Sequence, residues 1–142
     1  MPLRVVADSN TLISAVLWRG VPSTLLGYAG DRYQLITTAE LLAELGNALR
    51  RGKFAVRLES TSQTVESLVE AIGARSLVVS PALLEVPLRD PDDLKVIQAA
   101  IGGGADLIVT NDADLLSLGT VEGIGIVRPV DLLHTLGLHR ES

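Results

Sequence analysis

Cysteine is absent from the 142 residues, which excludes disulfides, thiolate-ligated zinc, iron–sulfur clusters and thiol catalysis. Aromatics are scarce: Trp18, Tyr28, Tyr33 and Phe54 are the four, too few for a stacking platform of the single-strand-binding kind. They are expected in the core or at a subunit interface. No apolar run approaches the roughly 18 residues of a membrane span, and Met1-Pro2-Leu3-Arg4 enters a strand-like run without a signal-peptide pattern. The expectation is a cytoplasmic protein with no membrane partner. Positive charge is in deficit too, with twelve Lys and Arg against seventeen Asp and Glu and a net charge of −5. That sum opposes a nucleic-acid partner, because phosphate binding calls for a basic surface. What the chain does have is aliphatic bulk: 47% of it is hydrophobic, enough to build a core in one domain over residues 1–142 and to exclude general disorder.

Short β-rich runs alternate with helical patterns from end to end. Leu3 to Ala7, Gln34 to Thr37, Leu77 to Val79, Leu107 to Val109 and Ile124 to Val127 read as five strands. Helices are expected from about Thr11 to Leu17, after Pro22, from Ala39 to Arg51 behind a Thr38 N-cap, from Ser60 to Ile72, from Asp90-Pro91 to the Gly102-Gly103-Gly104 stop, and from about Val130 to Leu136. Near-continuously apolar strands separated by helices define an α/β fold whose parallel sheet is covered on both faces. In such a sheet the site lies beyond the carboxyl ends of the strands.

Acidic residues gather at that edge. The first strand finishes at Asp8, and the fourth runs into Thr110-Asn111-Asp112-Ala113-Asp114. Asp90, Asp92 and Asp93 open the helix before the fourth strand, and Glu44 lies about two turns into the helix after the second. Helical spacing puts Glu44 on a face with Leu41, Leu45 and Ala48, and Asp93 on one with Ile97 and Ala100, so both are expected to point inward. Inward carboxylates without basic partners repel one another and carry a heavy desolvation cost. A divalent cation removes the conflict, and magnesium or manganese suits a few hard carboxylate oxygens plus water. Such an ion activates water and stabilises charge on a phosphodiester, which points to metal-assisted phosphodiester hydrolysis.

The same segments carry a resemblance. Asp8-Ser9-Asn10-Thr11-Leu12-Ile13-Ser14-Ala15, Leu41-Leu42-Ala43-Glu44-Leu45, Arg89-Asp90-Pro91-Asp92-Asp93 and Ile108-Val109-Thr110-Asn111-Asp112-Ala113-Asp114-Leu115-Leu116 resemble, in order, the motifs of the PIN-domain family. They are most similar to the branch of toxins of prokaryotic toxin–antitoxin systems related to VapC. The resemblance implies a three-layer α/β/α sandwich on a five-stranded, mainly parallel sheet, and a magnesium- or manganese-dependent ribonuclease. It places the family's four acids on Asp8, Glu44, Asp93 and Asp112, with Asp114 close by. Three Asp residues compete for the third position; the inward register favours Asp93, then Asp92, with Asp90 as helix cap. Asn10 and Thr110 match polar positions that would hold the carboxylates or a water in place. An antitoxin partner and a homodimer are further implications of the resemblance.

Each acid also has a plainer role open to it. Asp8 suits an N-cap, Glu44 a solvated helix face, Asp90, Asp92 and Asp93 the positive end of a helix dipole, and Asp112 and Asp114 a turn. The triple glycine lacks the Lys-Ser/Thr of a phosphate loop and reads as a helix stop, and His134 and His139 lie away from every acidic motif.

Charge is unevenly distributed. Arg19, Arg32, Arg50, Arg51, Lys53 and Arg57 outnumber Asp31, Glu40 and Glu44 between residues 19 and 57, whereas residues 85–114 hold seven acids against Arg89 and Lys95. One reading lays an RNA backbone along Arg50, Arg51, Lys53 and Arg57, with the scissile phosphate at the acidic pocket. The other makes that segment a solvated helix end.

Competing functions remain at this level. Asp8-Ser9-Asn10-Thr11 resembles the nucleophile motif of haloacid-dehalogenase-type phosphatases, although Asn10 stands where the acid/base Asp belongs. A receiver-like signalling module would need a Lys after the last strand, where Arg128-Pro129 stands. A non-catalytic metal- or nucleic-acid-binding module is a third reading.

Overall fold

A computed structural model describes residues 2–83 and 91–138; Asp90 and His139 lie outside them. Six strands form one sheet: β1 (Arg4–Ala7), β2 (Gln34–Thr37), β3 (Ser76–Val78), β4 (Leu107–Val109), β5 (Thr120–Val121) and β6 (Ile124–Val127), in the order β3-β2-β1-β4-β6-β5. All neighbours pair in parallel except β5 with β6. The expected α/β architecture is borne out, and the sheet has one strand more than the five read from sequence. The additional strand, β5, is a two-residue edge element joined to β6 by Glu122 and Gly123, both at positive φ (49° and 79°). Two left-handed residues match the twist of a two-residue hairpin, and Glu at the first of them hides the turn from a sequence reader looking for Asn or Asp.

Alternation along the strands creates the layers. Val5, Ala7, Leu35 and Val109 face one cluster, packed by α1 (Ser9–Leu17), α2 (Val21–Gly27), α3 (Ala39–Leu49), α5 (Val65–Arg75) and α8 (Pro129–Thr135). Val6, Ile36, Ile108 and Ile126 face the other, covered by α6 (Pro91–Gly102) and α7 (Ala113–Leu116). The result is an α/β/α sandwich. No described helix is long and apolar enough to cross a membrane.

Local chemistry sets the helix ends. Thr38 accepts from the Leu41 amide, as the N-cap reading requires, and places Leu41, Leu45 and Leu49 on one buried stripe. That helix stops at Leu49 rather than Arg51, and a separate helix, α4 (Gly52–Glu59), occupies the basic stretch. The next helix begins at Val65 rather than Ser60, because Thr64 and Ser67 form a reciprocal capping box. Tyr33 is buried, as expected of the aromatics, and donates to the Leu25 carbonyl; burial pushes its phenol well above the usual range, opposed by Arg75. Trp18 is 41% exposed and so is not a core residue, which leaves the interface half of that expectation for it.

The glycine stop of α6 has a second cause besides termination. A Cβ on Gly102 would meet the Ser80 carbonyl at 2.2 Å, and one on Gly103 would meet Ile36 Cγ2 at 2.5 Å. The segment after β3 therefore crosses α6 in direct backbone contact, held by the Ala82 amide on the Gln98 carbonyl at 2.9 Å. Arg4 then closes the helix end by donating twice to the Gly103 carbonyl. Gly102→Ala is expected to lower stability by about 1–3 kcal/mol in urea unfolding. Gly27→Ala, where an added Cβ meets nothing within 4 Å, is the control and leaves the midpoint unchanged or raised.

Candidate metal centre

Strand order places the site. The chain builds outward from β1 through β2 to β3, then returns to the other side of β1 with β4. The crevice between the carboxyl ends of β1 and β4 is thus the point where strand order reverses, where ligands bind in open α/β sheets. Ala7 pairs with Val109, so the residues that follow, Asp8 and Thr110, emerge side by side.

Their side chains join directly. Thr110 is fully buried, and its hydroxyl donates to Asp8 Oδ2 at 2.6 Å while accepting from the Asp112 amide at 2.9 Å. Asp8 Oδ1 accepts from the Thr11 amide at 3.0 Å. Asp8 is therefore both an N-cap, of α1, and a wall of the cleft. The plain reading as a cap does not exclude the functional one, because the two oxygens and their several lone pairs can serve different partners. Asp112 likewise caps α7 by accepting from the Asp114 amide at 2.8 Å.

The cleft has a volume of about 240 Å³. Asp8, Asn10, Glu44, Asp92, Asp93 and Asp112 line it, so residues from the ends of β1 and β4, the middle of α3 and the start of α6 converge as their sequence positions suggested. Asp93 is only 6% exposed, whereas Asp92 is open to solvent; the inward register read from helical spacing is the one observed. Glu44 is part-buried, its side chain 17% exposed.

One carboxylate oxygen from each of Asp93, Asp112 and Asp114 lies within 4.8 Å of the others. Three like charges so close are strongly unfavourable unless a cation or proton intervenes. A hard, all-oxygen donor set with room for water fits magnesium or manganese, not the softer metals that prefer sulfur or imidazole. Asp114, ranked behind Asp112 from sequence, belongs to this cluster. Asp93, Asp112 and Asp114 would hold such an ion, with Asp8 in the same cleft.

Two features differ from the sequence reading. The acids are not without a basic partner: Lys95 Nζ lies 3.7 Å from Glu44 and 3.5 Å from Asp92. Its spacing of three residues from Asp92 on a helix was the available signal. The basic segment, moreover, is split in its contacts. Arg50 pairs with Glu66 at 2.9 Å, and Glu66's own backbone together with Arg50 lowers that carboxyl from its usual range. Arg57 donates to the Leu17 carbonyl. Arg51 lines the cleft beside Phe54, a residue that sequence reasoning did not place there.

The PIN domain family model matches residues 4–114. The chain therefore belongs to the PIN domain family, and the phosphatase and receiver readings have no support from it. Among solved structures, the chain is similar to one in the crystal structure of VapBC2 from Rickettsia felis bound to a DNA fragment from their promoter. That match has a TM-score of 0.58 at 12% identity and covers 87% of this chain and 97% of the other, a likeness of fold. No curated protein sequence matches.

Thr110→Val would leave Asp8 Oδ2 and the Asp112 amide without their shared hydroxyl. It is expected to lower stability by about 1–3 kcal/mol and to weaken calorimetric manganese binding by about 10-fold or more. Thr110→Ser should restore both.

Proposed function

We propose that residues 1–142 form a metal-dependent endoribonuclease, the toxin of a toxin–antitoxin pair, acting on cytoplasmic RNA. The observation that carries this reading is the cluster of Asp93, Asp112 and Asp114 oxygens, the first two lining the crevice with Asp8 and the third exposed beside them, in a chain of the PIN domain family. A divalent cation bound there, magnesium or manganese, supplies the positive charge that polarises water and offsets charge developing on the phosphodiester.

The chain's own residues do the rest. Asp93, Asp112 and Asp114 would hold the ion and Asp8 would complete its ligand set from the same cleft, with Asp92 beside them and Glu44 facing from α3. Asn10 and Thr110 keep the carboxylates in register. Glu44 or Asp112 takes the proton of the attacking water. As the water oxygen bonds to phosphorus, the P–O bond opposite breaks and the departing oxygen takes a proton from solvent water, leaving a phosphate on one fragment and a hydroxyl on the other. Lys95, beside Glu44, tempers the repulsion among the acids. Arg51 meets the RNA backbone at the cleft, with Arg50, Lys53 and Arg57 on the same segment contributing long-range attraction.

The likeness to a chain of the VapBC2 structure supports a cognate antitoxin, which in this reading covers the cleft. The protein is a homodimer in this reading, and light scattering should then give twice the 15.0 kDa of one chain; a monomer at working concentration would refute that part. For catalysis, a purified sample is expected to cut an RNA pool in magnesium or manganese. It should lose the activity in EDTA and fall by at least about 100-fold in Asp93→Asn. Cleavage that survives both treatments would overturn the assignment.

A further inference from the structure

Beyond the carboxylates, the cleft continues onto an aromatic step that the reaction does not use. Phe54 lines the cleft next to Arg51, and the Trp18 ring meets it edge-on, centroids 6.2 Å apart at 70°. Trp18 is 41% exposed, in a protein with only four aromatic residues. Both rings carry cations. Lys53 Nζ sits 5.3 Å from the Phe54 centroid, and the Arg57 guanidinium lies 5.8 Å from that of Trp18. The two cations are held differently. Arg57 is anchored through Nε on the Leu17 carbonyl at 2.8 Å, so it stays with Trp18 and fixes the ring. Lys53 sits on a flexible four-carbon stem and is free to swing toward a phosphate.

A partner for this surface has to offer flat π-faces and negative charge together. Unpaired nucleotides do so: bases stack on aromatic rings with little regard to sequence, while Lys and Arg take the phosphates. A paired duplex keeps its bases stacked on one another and presents no free face. We propose that Phe54, braced by Trp18, is a stacking site for an unpaired nucleotide of the RNA substrate, next to the scissile phosphate, with Arg51 and Lys53 on the flanking phosphates. This inference rests on the ribonuclease reading and adds to it a residue that recognises the substrate, Phe54, through the face of a base.

Trp18 is the sole tryptophan, so its fluorescence reports on this site directly. The test titrates the full chain, in EDTA to prevent turnover, with a 2′-O-methyl hexa-adenylate and with an abasic oligomer of the same length. Wild type should show saturable quenching by hexa-adenylate and bind the abasic oligomer about 10-fold more weakly. Phe54→Leu keeps apolar bulk and removes the ring; it should lower hexa-adenylate affinity about 10-fold and leave abasic binding unchanged, while Phe54→Tyr restores wild-type affinity. A duplex competitor should displace the probe poorly. Equal affinity of wild type and Phe54→Leu for hexa-adenylate, or equal affinity of wild type for the two oligomers, overturns the stacking site, as does saturable binding only to the duplex. Because no arm depends on cleavage, a protein that stacks nucleotides but never cuts RNA would sink the ribonuclease reading alone. One that cuts RNA with no base-dependent binding would sink only the inference.

Discussion

The parallel pairing of β1 with β4 is the constraint on which the cleft depends. Its register sets Ala7 against Val109 and so brings Asp8 and Thr110 out of the sheet together. The Thr110 hydroxyl then spans two backbones, donating to one carboxylate and accepting from the amide of the residue that carries another. A slip of one residue would turn every side chain of the strand to the opposite face and separate acids that are 104 positions apart in the chain. The apolar faces resist that slip: Val5 and Ala7 belong to one core cluster and Val6 to the other.

The repulsion among the acids has a physical purpose in such a site. Folding gathers Asp93, Asp112 and Asp114 at a cost that hydrophobic burial on both sides of the sheet offsets, and the attraction for a divalent cation grows with the same proximity. Lys95 moderates this field without neutralising it, because it faces Glu44 and Asp92 at the rim. The net charge of −5 therefore reports a concentrated acidic centre. The surface next to it carries Arg51 and Lys53, and polyanion binding is not in conflict with the sum.

Much of the fold was legible in the chain. Apolar runs marked the five parallel strands, Thr38 marked a helix start, and helical spacing turned Asp93 inward and left Asp92 outside. The boundaries that went astray were decided by local chemistry weaker than periodicity. The Thr64–Ser67 capping box moved one helix start by five residues, and Glu122 in a left-handed turn concealed a sixth strand. Trp18 was open to either the core or a subunit interface, and its position after the C-terminal end of α1 keeps it out of the core, partly in solvent with Arg57 over it.

What the sequence by itself determined is the inventory and its approximate placement: acids at strand ends and first helical turns, no soft metal ligand, and charge of opposite sign in different segments. These follow from periodicity and capping, which act over a few residues. Tertiary structure alone decided which acids share a space, that Lys95 reaches Glu44 as well as its helix neighbour Asp92, that Arg50 and Arg57 find partners of their own while Arg51 and Phe54 enter the cleft, and that Gly102 is pressed against a neighbouring backbone. Those outcomes turn on ångström-scale distances between segments tens of residues apart. Such distances are set by sheet register and helix packing, which no local pattern encodes.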